Sequence, residues 1–175
     1  MPLEVALTFN IGKDAKTMAK EIERKFLVKK SWQPKGKGEK IAQGYLCDDE
    51  NKTVRVRIKG ERGYLTVKSR TEGISRNEFE YEIPVEDAQK ILLLCNKGVV
   101  EKTRYVENFG GFDWEIDVFA GANSPLVLAE IELPNEDTKF QKPDWAGEEV
   151  SLDSRYFNSY LSKHPYNKWE NMEII

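Results

Sequence analysis

Residues 52–70 read KTVRVRIKGERGYLTVKSR. Val54, Val56 and Ile58 alternate with Arg55, Arg57 and Lys59, and Leu65 and Val67 alternate with Lys68 and Arg70. A period of two marks a strand with one apolar and one polar face. The intervening Gly60-Glu61-Arg62-Gly63 is short enough to fold the two strands into an antiparallel hairpin. Working outward, the same alternation predicts strands over residues 21–28, 41–47, 76–83, 99–108, 113–119 and 126–133. Asp48-Asp49-Glu50-Asn51, Gly110-Gly111 and Gly121-Ala122-Asn123-Ser124-Pro125 supply further turns, and short connections imply antiparallel neighbours.

Two helices interrupt the strands. Pro84 opens one, whose apolar stripe is Ala88, Ile91, Leu92 and Cys95, with Gly98 just beyond its end. A second is predicted over about residues 153–163, with Tyr156, Phe157, Tyr160 and Leu161 on its apolar side and His164-Pro165 as its stop. The class is therefore α+β, mainly β. Eight antiparallel strands favour closure into a small barrel, which removes exposed edges, with an open sheet backed by the helices as the alternative. Residues 20–175 read as one domain and residues 1–19 as an extension, with Met18 as an alternative start.

Composition narrows the chemistry. The 175 residues carry 27 Lys+Arg against 30 Asp+Glu, a net charge of −3, which argues against a nucleic-acid binder. No apolar run approaches the ~20 residues of a membrane span, and the N-terminus lacks a signal-peptide pattern. Two distant cysteines, Cys47 and Cys95, and one histidine, His164, cannot build a thiolate or imidazole zinc site; they fit a reducing cytoplasm. Site chemistry must come from carboxylates, Lys, Arg and Tyr.

These charges segregate by strand. Glu21 and Glu23 precede Lys25, and Arg55, Arg57 and Lys59 follow. Next come Lys68 and Arg70, then Arg76 with Glu78, Glu80 and Glu82. Lys102 and Arg104, Glu115 and Asp117, and Glu130 and Glu132 complete the set. Residues i and i+2 share a face about 6.6 Å apart, where like charges repel by about 0.6 kcal/mol in water and about 2.5 kcal/mol at an effective dielectric of 20. A face meeting only bulk water has no reason to accumulate that repulsion. An ionic face turned inward has one: paired carboxylates suit a hard divalent cation, and paired cations suit a highly charged anion. A polyphosphate with bound Mg2+ or Mn2+ satisfies both. No P-loop and no GxGxxG offers another phosphate site.

Glu21-Ile22-Glu23-Arg24-Lys25 resembles the ExExK signature of the CYTH superfamily, the triphosphate tunnel metalloenzymes. The order of Gln43-Gly44-Tyr45-Leu46, Arg55-Val56-Arg57, Thr66-Val67-Lys68, Arg76-x-Glu78-x-Glu80, Lys102-Thr103-Arg104, Glu115-Ile116-Asp117 and Glu130-Ile131-Glu132 strengthens the likeness over residues 20–161. The resemblance implies a closed eight-stranded antiparallel tunnel with flanking helices and a C-terminal helix at one mouth. It implies hydrolysis of inorganic triphosphate to phosphate and pyrophosphate by metal-activated water. Glu21, Glu23, Asp117, Glu130 and Glu132 would hold Mg2+ or Mn2+, with Glu78 and Glu80 serving a second ion or the attacking water. Lys25, Arg55, Arg57, Lys68, Arg76, Lys102 and Arg104 would clamp the small anionic substrate. Tyr45 and Lys68 are similar to a dyad in which an ammonium favours a phenolate base. Nucleoside or thiamine triphosphatase, a class IV adenylate cyclase and a non-catalytic polyphosphate-binding module stay open as alternatives, as does a homodimer. Neither nucleic acid nor membrane is expected as a partner.

Overall fold

The computed structural model describes residues 19–70, 72, 75–95 and 98–169, and the side chains of residues 22–70, 72, 76–95 and 98–169 among them. The expected extension over residues 1–19 lies outside the described residues, apart from the backbone of Ala19. The chain is mainly β. Its strands are β1 (Ala19–Val28), β2 (Glu39–Asp48), β3 (Lys52–Lys59), β4 (Arg62–Ser69), β5 (Ser75–Ile83), β6 (Val100–Phe109), β7 (Phe112–Phe119), β8 (Val127–Glu132) and β9 (Ala146–Glu149). They form one antiparallel sheet in the order β5-β4-β3-β2-β6-β7-β8-β1-β9. β1 meets three partners: β5 through Ala19–Ile22, β8 through Glu23–Leu27, and β9 through Phe26 and Val28.

Each of the eight expected strands is present within two residues of its expected bounds. The ninth was not expected, because Ala146-Gly147-Glu148-Glu149 is too short and too acidic to show alternation. Its pairing with β1 is reinforced by side chains: Arg24 Nε donates to Glu149 Oε1 at 2.8 Å, and Ser151 Oγ accepts from the Lys25 amide at 2.9 Å.

The apolar face packs under two covers. Ile22 and Phe26 of β1, Trp114 and Ile116 of β7, and Ala129 and Ile131 of β8 form one core with Trp32 and Leu133, against which Phe140 and Trp145 lie. Helix α1 (Val85–Leu92) covers the other half, setting Ala88 and the following Cys95 on Val56 of β3. The helix is shorter than its apolar stripe suggested. Its last backbone bonds pass into a turn through Leu94 and Cys95, leaving Leu93 and Leu94 exposed. Gly63 of β4 gives α1 its seat: a Cβ there would stand 2.8 Å from the Ala88 Cβ and 2.9 Å from the Ile83 carbonyl oxygen.

The second expected helix divides. Asp153 accepts from the Arg155 amide at 3.1 Å and caps a single 3₁₀ turn (Ser154–Tyr156), after which Phe157 is extended and α2 (Asn158–Lys163) begins. The break points the chain back at the sheet. Tyr156 and Leu161 join Val100, Phe119, Leu126, Leu128 and Val150 in a further core. Val100, Phe119 and Leu128 are in phase with Lys102, Asp117 and Glu130, so this core sits at one end of the ionic face. Beyond His164-Pro165 the chain makes another 3₁₀ turn (Tyr166–Lys168) rather than ending its order.

Because the contacts at Gly63 include backbone, Gly63→Ala must push α1 off β4. The expected loss is about 1–3 kcal/mol, seen as a lowered thermal midpoint with an unchanged circular dichroism spectrum at 20 °C.

Candidate functional site

Alternation in β3, β4 and β5 brings arginines and glutamates together on one face, where register sets Arg55 opposite Thr66 and Thr66 opposite Glu80. One oxygen, Glu80 Oε2, accepts from Arg57 Nη2 at 2.9 Å, Thr66 Oγ1 at 2.9 Å and Arg55 Nη2 at 3.4 Å. Burial alone would push the Glu80 carboxyl up; Arg57, Thr66 and Arg55 outweigh it and hold the group below its ordinary value. Next along the strands, Lys68 Nζ lies 2.8 Å from Glu78 Oε2.

A second cluster spans β6, β7, β8 and β1. Arg104 Nε and Nη2 grip both oxygens of Asp117 at 2.7 Å, and Nη2 also reaches Glu130 Oε2 at 3.0 Å. Arg104 also binds Glu115, and Lys102 binds Asp117. Lys25 Nζ meets Glu130 Oε1 at 2.8 Å and Glu23 Oε1 at 3.6 Å. Against the burial that disfavours its charge, Glu130 and Glu23 carry the Lys25 ammonium above the ordinary lysine range. Burial likewise opposes ionisation of Asp117 and Glu130. Lys102 and Arg104 hold the former below its ordinary value, and Lys25, Arg104 and Lys102 hold the latter well below its own. Its lysines lie against aromatic rings: Lys102 Nζ stands 5.4 Å over the Phe119 ring and Lys25 Nζ 5.6 Å over Phe157.

On β2, Gln43 and Tyr45 are buried, and Gln43 Nε2 donates to the Tyr45 hydroxyl oxygen at 2.9 Å. Burial raises the Tyr45 phenol above its ordinary value, more than Arg55, Arg76, the Gln43 hydrogen bond and Lys25 lower it. Burial thus favours the neutral phenol over the phenolate, and the hydroxyl oxygen accepts from Gln43.

The ionic face thus assembles Glu23, Lys25, Arg55, Arg57, Lys68, Glu78, Glu80, Lys102, Arg104, Asp117 and Glu130. Arg76 stands close enough to Lys25 and Tyr45 to act on both. Glu132 pairs with Glu23 across β8 and β1, and is exposed. Glu21 pairs with Arg76 in the backbone, and its side chain lies outside the described ones. Lys102 and Arg104, expected as phosphate clamps, are engaged with carboxylates. The carboxylate set has the chemistry of a site for a hard cation, which takes oxygen donors, although no three of these groups converge as ligands among the described residues. The cationic set has unmet capacity: Arg55 Nε and Arg57 Nε are buried without a partner among the described residues. Sequence reasoning gave no role to Thr66 or Gln43. Their one signal was phase, since each stands two residues before a candidate site residue, Lys68 and Tyr45.

The CYTH domain model matches residues 19–165. The chain belongs to the CYTH family. It is 53% identical over 155 residues to a protein of Acetivibrio thermocellus named inorganic triphosphatase, covering 87% of this chain and 99% of that one. A second inorganic triphosphatase, from Nitrosomonas europaea, is 40% identical over 146 residues, covering 81% and 96%. The crystal structure of an inorganic triphosphatase, 38% identical, superimposes with a TM-score of 0.61 over 83% of this chain and 96% of that one. A Pyrococcus horikoshii structure at 22% identity and a TM-score of 0.51 covers 67% and 80%, a likeness of fold.

Asp117→Asn would leave Lys102 and Arg104 facing a neutral amide in a buried setting, an expected loss of about 3–5 kcal/mol in urea unfolding. Asp117 and Glu130 have lowered folded pKa values, so their contribution is full above about pH 5 and is lost as pH falls toward those values. Stability of the native sequence therefore falls steeply below about pH 5, and that of Asp117→Asn falls less steeply, checked by urea midpoints at stepped pH.

Proposed function

We propose that this protein hydrolyses inorganic triphosphate to phosphate and pyrophosphate with Mg2+ or Mn2+. The observation that carries the reading is the Arg55–Arg57 pair. Arg55 is buried and Arg57 half-buried on the same strand face, and the Nε of each is unmet among the described residues, which suits an anion carrying more oxygens than a single carboxylate. Relatives at 53% and 40% identity, matched over nearly their whole length, are named inorganic triphosphatases.

We further propose that the short β1–β5 pairing closes the eight principal strands into a tunnel. Lys25 on β1 acts on the Tyr45 phenol on β2, although β1 and β2 stand four places apart in the sheet order. Arg104 on β6 likewise acts on Arg57 on β3. Such influence is natural if the ionic face curves around a shared space.

In that tunnel Arg55, Arg57, Lys68 and Arg76 hold phosphate oxygens and stabilise the charge that spreads over them as water attacks the terminal phosphorus in line. Lys25, Lys102 and Arg104 hold the carboxylates in place and add to the positive field. Glu23, Glu130 and Glu132, with Glu21 and Asp117, would hold the cation, while Glu78 and Glu80 orient water or a second ion. Such a cation lowers the pKa of bound water and screens the substrate's charge from its nucleophile. Tyr45, held by Gln43, would donate its phenol proton as a hydrogen bond to a phosphate oxygen. No described helix is long and apolar enough to cross a membrane. The two free thiols fit the cytoplasm as the compartment.

The protein is expected to release orthophosphate from tripolyphosphate with Mg2+ or Mn2+, and to form no cyclic nucleotide from ATP. Chelation should abolish turnover, and Glu23→Ala should lower kcat by roughly a hundredfold or more. Full activity in EDTA, or cyclic AMP as the product, would refute the reading.

A further inference from the structure

The three donors around Glu80 have a use beyond pairing that glutamate. We propose that Thr66, together with Arg55 and Arg57, forms a binding site for one phosphate oxygen of the substrate, and that the Glu80 carboxylate occupies this site when no anion is bound. The identity of the anion rests on the proposed triphosphatase function; the three-donor site itself rests on geometry.

The geometry is that of an oxyanion site. Three donors from β3 and β4 converge on a single atom, Glu80 Oε2, at 2.9, 2.9 and 3.4 Å. Carboxylate and phosphate oxygens accept from guanidinium and hydroxyl groups alike, so a pocket that fits one fits the other. Thr66 is fully buried, at a position facing the charged side of β4 where a valine would fill the same space. Its hydroxyl accepts from Arg55 Nη2 at 3.2 Å, which aims its proton at the Glu80 oxygen. Thr66 thus orients one arginine and supplies the third donor.

Glu80 is an imperfect occupant. It takes one Nη2 from each arginine and leaves both Nε groups buried without partners among the described residues. A phosphate presents several oxygens and can meet more of these donors than one carboxylate can. The Glu80 side chain keeps 31% of its surface exposed, against 10% for Arg55 and 13% for Arg57, so the glutamate is the member of the group that solvent can most readily receive. An arriving anion must therefore displace an internal one, and its affinity is lowered by the strength of the contacts Glu80 gives up.

The test is calorimetric titration of tripolyphosphate into the full chain in EDTA, so that no metal contributes. Glu80→Gln should bind roughly tenfold tighter than the native sequence, the worth of one charge-assisted contact no longer displaced. Glu115→Gln removes the same charge from the same face, beside Arg104, and should change affinity by less than about threefold at that distance from the site. Adding Thr66→Val to Glu80→Gln should reverse the gain by roughly tenfold, with folding confirmed by circular dichroism. Equal tightening in Glu80→Gln and Glu115→Gln would reduce the effect to net charge and overturn the proposal. So would an unchanged affinity on adding Thr66→Val, or no binding by any variant. Turnover of tripolyphosphate with Mg2+ is measured in parallel. Turnover without the Glu80 effect overturns this inference alone, whereas failure to turn over overturns the triphosphatase reading.

Discussion

Arg104 holds three carboxylates at once, from Asp117 and Glu115 on β7 and Glu130 on β8, and the rest of the ionic face depends on that grip. Two like charges two residues apart on one strand cannot relieve each other; within the protein, counter-charges must come from other strands. β6 with its cations must therefore lie against β7 with its anions, and β1 with Lys25 against β8 with Glu130. Where like charges face each other instead, as Glu115 of β7 does Glu130 of β8, Arg104 bridges both. The apolar face alone would tolerate several arrangements, because its valines and isoleucines are nearly interchangeable.

The two halves of the ionic face use compensation differently. Around Arg104 the pairs with Asp117 and Glu130 are buried, reinforced by Lys102 and Lys25, and pressed against Phe119 and Phe157; such pairs hold structure and resist rearrangement. Around Arg55 and Arg57 compensation is partial, with guanidinium nitrogens unmet and glutamates partly open to solvent. The first half frames, and the second is able to exchange partners.

Much of this was legible in residue order. Alternation located the eight principal strands because each has a whole face of apolar residues against a core, and segregated signs marked the opposite face as something other than a solvated surface. The elements that were not legible lack such a signal. β9 is four residues long and draws its pairing from β1. The break at Phe157 arises from the Asp153 cap, which a stripe of Tyr156, Phe157, Tyr160 and Leu161 does not reveal. Thr66 and Gln43 are neutral, so a reading built on charge passed over them. The burial of Tyr45 against Gln43 is likewise not encoded by lysine and arginine positions along the chain.

The first strand is also the last to be satisfied. As the chain leaves the ribosome, β1 emerges before every strand it binds, and Arg24 must wait for Glu149, 125 residues downstream. The hairpin of β3 and β4 can form from local contacts meanwhile, but the edge from Glu23 onward stays bare until β8 and β9 are synthesised. The alternating charges of β1 then serve as gatekeepers, keeping an unpaired strand from adhering to other nascent chains.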